Sequence, residues 1–258
     1  MPRFAANLNW LFTEHAFLDR FGAAAAAGFR AVEFPSPYEH PAGEIRARLD
    51  EHGLECILFN LPSGDRSRGD FGIACRPERE AEFRAGVARA IEYARALGVK
   101  QVNCIAGRAL QGDDPAQRSR TLSGNLRYAA NELRAADLQL LIEPINSHDV
   151  ADFAVARAAD AALLVAEVAE PNFGLQLDLY HTAMMGDDGR AALEAFRPIV
   201  RHIQFADVPG RGEPGTGKLD LARLFSDIDA SGYGGWVSAE YRPSGRTEAS
   251  LAWLRRTA

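Results

Sequence analysis

One domain of eight strand–helix units closed into a (β/α)8 barrel is the fold class this sequence predicts, on three observations. Its 258 residues match the roughly 250 that such a barrel takes. Eight short apolar or β-branched runs alternate with helix-patterned stretches along the whole length, which implies parallel strands joined by crossovers. No GxGxxG follows the first strand, so the usual mark of an open doubly wound sheet is missing. No linker or second domain interrupts residues 1–258.

Taken in order, the strand candidates are FAANLNWLF from Phe4, AVEFP from Ala31, CILFNLP from Cys56 and QVNCIAG from Gln101. LQLLIEPIN from Leu138, FGLQLDLYH from Phe173, VRHIQFADV from Val200 and WVSAEYRP from Trp236 follow. Of the helices between them, Ala81 to Gly98 is the clearest. Phe83, Val87, Ile91 and Ala94 make one stripe, and Gly98 stands where a terminating glycine belongs. FLDRFGAAAAAGF, RTLSGNLRYAANELRAA and DFAVARAADAALLVAEVA are also good helix formers, the last with Asp152 placed as its N-cap. The connection from Pro62 to Glu78 carries SGDRSRGDFG; a long loop at a strand's C-terminal end reads as a lid or specificity loop.

Composition narrows the function classes. Hydrophobic residues make up 47% and charged residues 25%, and the net charge is −6. No basic block stands out, so nucleic-acid and anionic-membrane partners are disfavoured. Cys56, Cys75 and Cys104 are scattered and odd in number, which suits buried apolar residues better than disulfides or a thiolate zinc site. Met1 to Asn9 lacks a basic-then-apolar leader, and no apolar run reaches the 18 or so residues of a membrane span. A cytoplasmic enzyme is expected, with a homo-oligomer left open.

The last four strands carry the chemistry. Each is mostly apolar, and each bears one strongly polar residue near its C-terminal end: Glu143, Asp178, Gln204 and Glu240. Singly, any of these is explained as well by a helix cap or an arginine pair. Together they crowd three carboxylates into one barrel mouth, where repulsion and desolvation cost several kcal/mol unless a cation compensates. An all-oxygen set of three carboxylates and an amide suits Mg²⁺ first and Mn²⁺ second, and argues against zinc or copper. Two residues earlier, on the same face, stand Leu141, Gln176, His202 and Ser238. Gln176 and His202 are therefore placed to hydrogen-bond the ligand carboxylates from behind, a satisfied core histidine being the bland alternative for His202. His181, past the end of the sixth strand, is placed to reach a bound substrate.

Two glutamates facing a substrate from two sides, beside a metal that chelates a carbonyl and the neighbouring hydroxyl, suit proton removal from one carbon and return to the next. That is aldose–ketose isomerisation through an enediol; return to the same carbon on its other face would be epimerisation. GEPGTGK at Gly212 to Lys218 fits GxxxxGK, but Leu219 stands where Ser or Thr should bind magnesium. It reads as a structured glycine loop at the mouth, with Arg211 and Glu213 approaching the site.

Across essentially the whole chain, FAANLNWLF, NLPSGD, NCIAGR, LLIEPIN, DLYH, HIQFADVPGRGEPGTG and AEYRP resemble the hydroxypyruvate isomerase family of xylose-isomerase-like TIM barrels. The resemblance implies Glu143, Asp178, Gln204 and Glu240 as metal ligands and Glu143 with Glu240 as the proton-transfer pair. The implied substrate is a small anionic hydroxy-oxo acid: hydroxypyruvate, giving 2-hydroxy-3-oxopropanoate, or a 2-oxo-tetronate in close relatives. Two departures stand out. Asp70-Phe71-Gly72 replaces the acidic-Arg-Gly usual before Ile-Ala; if that arginine meets the substrate carboxylate in the family, the job passes here to Arg66, Arg68 or another cation, Arg211 being the next candidate, or the substrate preference has shifted. Lys218 replaces an acidic residue. The rival readings are a keto-sugar 3-epimerase, which commonly has histidine where Gln204 stands, a metal-dependent endonuclease, which would want more histidines and a basic face, and a catalytically silent barrel.

Overall fold

The computed structural model describes residues 1–256. Eight parallel strands follow one another around a closed barrel in chain order. They are β1 (Arg3–Asn7), β2 (Ala31–Glu33), β3 (Glu55–Asn60), β4 (Gln101–Cys104), β5 (Gln139–Ile142), β6 (Phe173–Asp178), β7 (Val200–Phe205) and β8 (Trp236–Ala239). Closure is made by β1 against β8, from Arg3 opposite Trp236 to Ala6 opposite Ala239. All eight expected strands form, each ending earlier than its apolar run, because the polar residue that closes it turns the chain out into a loop or helix.

The helices are α1 (Arg20–Ala26), α2 (Ala42–His52), α3 (Glu80–Leu97), α4 (Pro115–Ala135), α5 (Ala158–Val168), α6 (Leu179–Met184), α7 (Gly189–Phe196), α8 (Leu221–Ala230), α9 (Thr247–Ser250) and α10 (Ala252–Arg256). On α3 the residues Phe83, Val87, Ala90, Ala94 and Leu97 are buried, and Gly98 ends the helix at φ 74°, a left-handed conformation that costs glycine least. Helix α4 starts earlier than its apolar pattern, because Asp114 accepts from the Ala116 amide and Pro115 sits in the first turn. Asp152 is not a cap. It lies at φ 57°, and α5 begins only at Ala158, after Arg157. The segment around it is taken up by the loop after β4: Ala109 N bonds Asp152 O at 2.8 Å, and Ala154 N bonds Gly107 O at 2.9 Å.

Strand alternation builds the barrel interior in layers. Ala5, Ala31, Leu58 and Leu141 pack with Ile57 and Trp236 as an apolar plug, level with Gln176, His202 and Ser238 of the later strands. Two residues on, toward the C-terminal mouth, stand Asn7, Glu33, Asn60, Asn103, Glu143, Asp178, Gln204 and Glu240. Outward-facing residues of the strands join the helices in the main core, where Phe4, Phe205, Phe225 and Trp253 meet edge to face. All three cysteines are free and buried, as expected. Among the described residues no helix is long and apolar enough to cross a membrane.

Candidate active site at the barrel mouth

Every strand, and not only the last four, has a polar residue at its C-terminal end or within one position of it, and closure of the barrel sets these eight around one mouth. Glu143, Gln204 and Glu240 line one cavity of about 30 Å³, together with Asn7, Glu33, Asn60 and Gln176. That space holds a water molecule or two, or an ion. Asp178 joins from the side. The Nε2 of His181 lies 3.6 Å from Asp178 Oδ2 and 3.8 Å from Glu143 Oε1, and ligand atoms of these three residues all lie within 4.8 Å of one another, a grouping able to hold a metal ion. Asp178 also caps α6, its Oδ1 accepting from the Tyr180 amide at 2.8 Å. The strand-to-helix turn thereby fixes the carboxylate and lifts His181 over the mouth.

Arg211 supplies the positive charge. Its Nη2 is 3.1 Å from Glu240 Oε1 and 3.4 Å from Asp178 Oδ2, and its guanidinium stacks 4.6 Å from Trp10 and 4.7 Å from Tyr180. The loop that carries it is folded around Asp207, whose carboxylate accepts from the amides of Val208, Gly215, Gly217 and Leu219 at 2.8–3.0 Å. Gly217 is obligatory there, since a Cβ would collide with Val208 O and the Asp207 carboxylate. The glycine motif is thus a scaffold for an arginine. Glu213, expected to approach the site, instead accepts from Ser244.

Three carboxylates around one arginine leave negative charge in excess, and the acid–base behaviour shows it. Burial first, then the charges of Glu240 and Asp178, push Glu143 well above the ordinary carboxyl range. Burial lifts Glu240 to about 8, the nearby Arg211 opposing and Asp178 adding to the rise. His181 falls to about 4, chiefly by burial. For Arg211 burial works the other way, but Glu240, Asp178 and Glu143 overcome it and raise the guanidinium further. Glu240 accepts from Trp10 Nε1 at 3.0 Å through one oxygen, while its Oε2 is buried with no hydrogen-bond partner. An orphaned carboxylate oxygen beside two more acids fits a site for a hard, oxygen-preferring dication.

Gln176 and His202 sit beneath the ring as their register requires, but their partners differ from the expected carboxylates. Gln176 Nε2 donates to Gln204 Oε1 at 2.6 Å. His202 Nε2 stands 2.6 Å from Oε2 of Glu33, a residue sequence reasoning passed over. Glu33 is sealed from solvent and also accepts from Asn7 at 2.8 Å and from Gln204 Nε2 at 2.7 Å. Burial opposes its ionisation, yet His202, Gln204 and Asn7 hold its carboxyl below the usual range. Asn103, on Glu143 Oε2 at 3.2 Å, and Asn146, 2.6 Å from His181 Nδ1, were likewise missed. Arg66 lies away from the carboxylates, on a cleft of about 690 Å³ whose Phe34, Pro35 and Asn60 also line the small cavity.

The family model described as xylose isomerase-like TIM barrel matches residues 21–257. The chain is 46% identical over 257 residues to a protein of Cupriavidus necator named 2-oxo-tetronate isomerase, covering 99% of this chain and 98% of that one. It is 46% identical over 254 residues to the hydroxypyruvate isomerase of Escherichia coli, covering 98% of each. A crystal structure from Brucella melitensis, named AP endonuclease, family 2, superposes with a TM-score of 0.97 at 41% identity over 99% of both chains.

Proposed function

The chain belongs to the xylose isomerase-like TIM-barrel family and is an isomerase, and from that premise we propose that it converts hydroxypyruvate to 2-hydroxy-3-oxopropanoate. A 2-oxo-tetronate is the four-carbon alternative with the same reacting centre. The observation that carries this reading is that Glu143 and Glu240, from strands three apart, face one small cavity, where burial raises both carboxyls well above their ordinary range.

One of these glutamates takes the proton from the hydroxymethyl carbon, and the other returns a proton to the neighbouring carbonyl carbon; the hydroxyl proton passes from the first oxygen to the second. A carboxyl with a raised pKa can both hold and yield a proton under working conditions. Trp10 and Arg211 orient Glu240, and Asn103 orients Glu143. His181, with a depressed pKa, stays a neutral hydrogen-bonding group near the substrate oxygens. Glu143, Asp178, Gln204 and Glu240 would hold the divalent metal, Mg²⁺ or Mn²⁺, which when bound polarises the carbonyl and acidifies the adjacent C–H.

The net charge of −6 argues against a polyanionic substrate such as DNA. A keto-sugar epimerase would return the proton to the carbon it came from, so the position of label separates the readings. With Mg²⁺ or Mn²⁺ in deuterated water, hydroxypyruvate and 2-oxo-tetronates should acquire deuterium at the neighbouring carbon, and ketohexoses should not exchange at comparable rates. Glu143→Gln and Glu240→Gln are each expected to lower kcat about 10³-fold with the fold intact by circular dichroism. Full activity in both variants would overturn the two-glutamate mechanism.

A further inference from the structure

The reacting end of the site has no cation left over for the carboxylate of a substrate. Three carboxylates, Glu143, Asp178 and Glu240, converge there on the single guanidinium of Arg211. An acidic substrate must therefore turn its own carboxylate outward, to where other cations stand. Most arginines around the mouth are already engaged. Arg76 pairs with Glu78 and Asp113, Arg79 with Asp70 and Glu82, and Arg118 with Asp113; Arg89 donates to Tyr38 O.

Arg66 and Arg108 differ. Among the described residues neither has a carboxylate within ion-pair distance, and both guanidiniums gather on one ring: Arg66 Cζ is 5.1 Å and Arg108 Cζ 5.5 Å from the centroid of Phe71. Phe71 is itself braced edge-on by Phe153 at 5.9 Å. The Nε of Arg108 is buried and donates to nothing. Each cation–ring contact is worth only about 1 kcal/mol, so neither guanidinium has its charge balanced until an anion reaches it. A buried N–H without an acceptor, beside a second cation without a counter-charge, is half of a charge-assisted hydrogen-bond pair.

The two arginines are held in place together. The loop after β3, which carries Arg66 and Phe71, is clamped to the loop after β4, which carries Arg108. Gly72 lies against Ile105 and Gly107 so closely that a Cβ would collide with their backbone. Cys75 N also bonds Ala106 O at 2.9 Å, and Arg76 reaches Asp113. Arg66 opens onto the cleft that shares Phe34, Pro35 and Asn60 with the catalytic cavity. This arrangement also accounts for phenylalanine at position 71: the ring positions two arginines and binds no anion itself.

We propose that Arg108, together with Arg66, binds the carboxylate of the substrate, with Phe71 as the positioning residue that holds both guanidiniums. The proposal rests on an acidic substrate, as set out above, and its test separates the two. Glycerate, a three-carbon hydroxy acid with no carbonyl to isomerise, reports carboxylate binding without turnover. Calorimetry should show binding weakened at least tenfold in Arg108→Ala and several-fold in Arg66→Ala, with Arg108→Lys in between because a point charge replaces a planar fork. For hydroxypyruvate the same variants should raise KM about tenfold and change kcat far less. Phe71→Leu should weaken glycerate several-fold with both arginines present. Thermal melts identify a variant that has lost its fold, in which case Arg108→Gln replaces Arg108→Ala. Unaltered glycerate binding and KM in an Arg66→Ala/Arg108→Ala double variant would overturn the proposal, as would no glycerate binding by the unmodified protein. An unmodified protein that turns over neither acid but loses glycerate binding with Arg108 would keep the carboxylate site and sink the assigned reaction.

Discussion

At the scale of single residues, Glu33 is the buried charge on which the polar interior turns. It receives Asn7, Gln204 and His202 at once, so removing it strands three donors in a place no water reaches. Breaking a buried pair from one side is costly, and Glu33→Ala is expected to destabilise the protein by about 3 kcal/mol in urea unfolding. Glu33→Gln, which keeps the shape and one acceptor, should cost clearly less; equal stability of all three proteins would show that the network carries no weight. By holding the Gln204 amide, Glu33 also decides which way its oxygen faces, so the variants should lose divalent-metal affinity before they lose fold. Glu33 was legible by the reasoning that found the polar residues of the later strands, a lone polar residue closing an apolar strand. It was passed over because AVEFP is short and its acid has no acidic neighbours in sequence. Trp10 and Asn146 gave no such signal: their roles depend on contacts between loops from different strands.

At the scale of elements, the loop between β3 and α3 shows how a flexible-looking run becomes fixed. Asp70 accepts from the Asp65 amide and from Arg79 Nη1, both at 2.7 Å. Burial alone would raise the Asp70 carboxyl, but Arg79 and the Asp65 amide overcome it and leave the acid below its ordinary range. An unfolded aspartate titrates near ~3.9, so the stabilisation from this pair is complete above that pH and is lost as pH falls through the lower folded value. Amides of residues 64–72 should therefore lose hydrogen-exchange protection below about pH 4, and Asp70→Asn should lower it already at neutral pH. Protection unchanged by acid in the unmodified protein would refute this. The sequence marked the loop by its length and glycines but could not show that Phe71 carries two arginines, because Arg66 and Arg108 lie on different elements. The misread cap at Asp152 has a similar cause. Helix propensity favours an early start, and backbone bonds to the neighbouring loop at Gly107 and Ala109 override it.

At the scale of the whole molecule, closure of the sheet turns eight separate strand ends into one ring, so the fold and the site were readable together. The count of units and their alternation predict closure, and closure makes strand-end residues 26 or more positions apart into neighbours. It also predicts how the molecule answers to metal. Because the carboxylates converge only in the folded barrel, a dication held by them would bind the native state alone, and at a hundredfold excess over Kd it should stabilise the fold by ~2.7 kcal/mol. For a chain of this size that is a rise in Tm of roughly 5–10 °C on adding Mg²⁺ or Mn²⁺, reversed by a chelator and absent in an Asp178→Asn/Glu240→Gln variant. An equal rise in that variant would place the ion elsewhere. The narrowness of the polar pit has a further consequence for selection among substrates. A recess with room for a water or two, or an ion, would meet the same pair of carbons whether the skeleton has three or four. Chain length is then measured outside it, in the vestibule between the loops that follow β2 and β3. Grafting those two loops between relatives should exchange their preferred substrates and leave the proton-transfer step untouched.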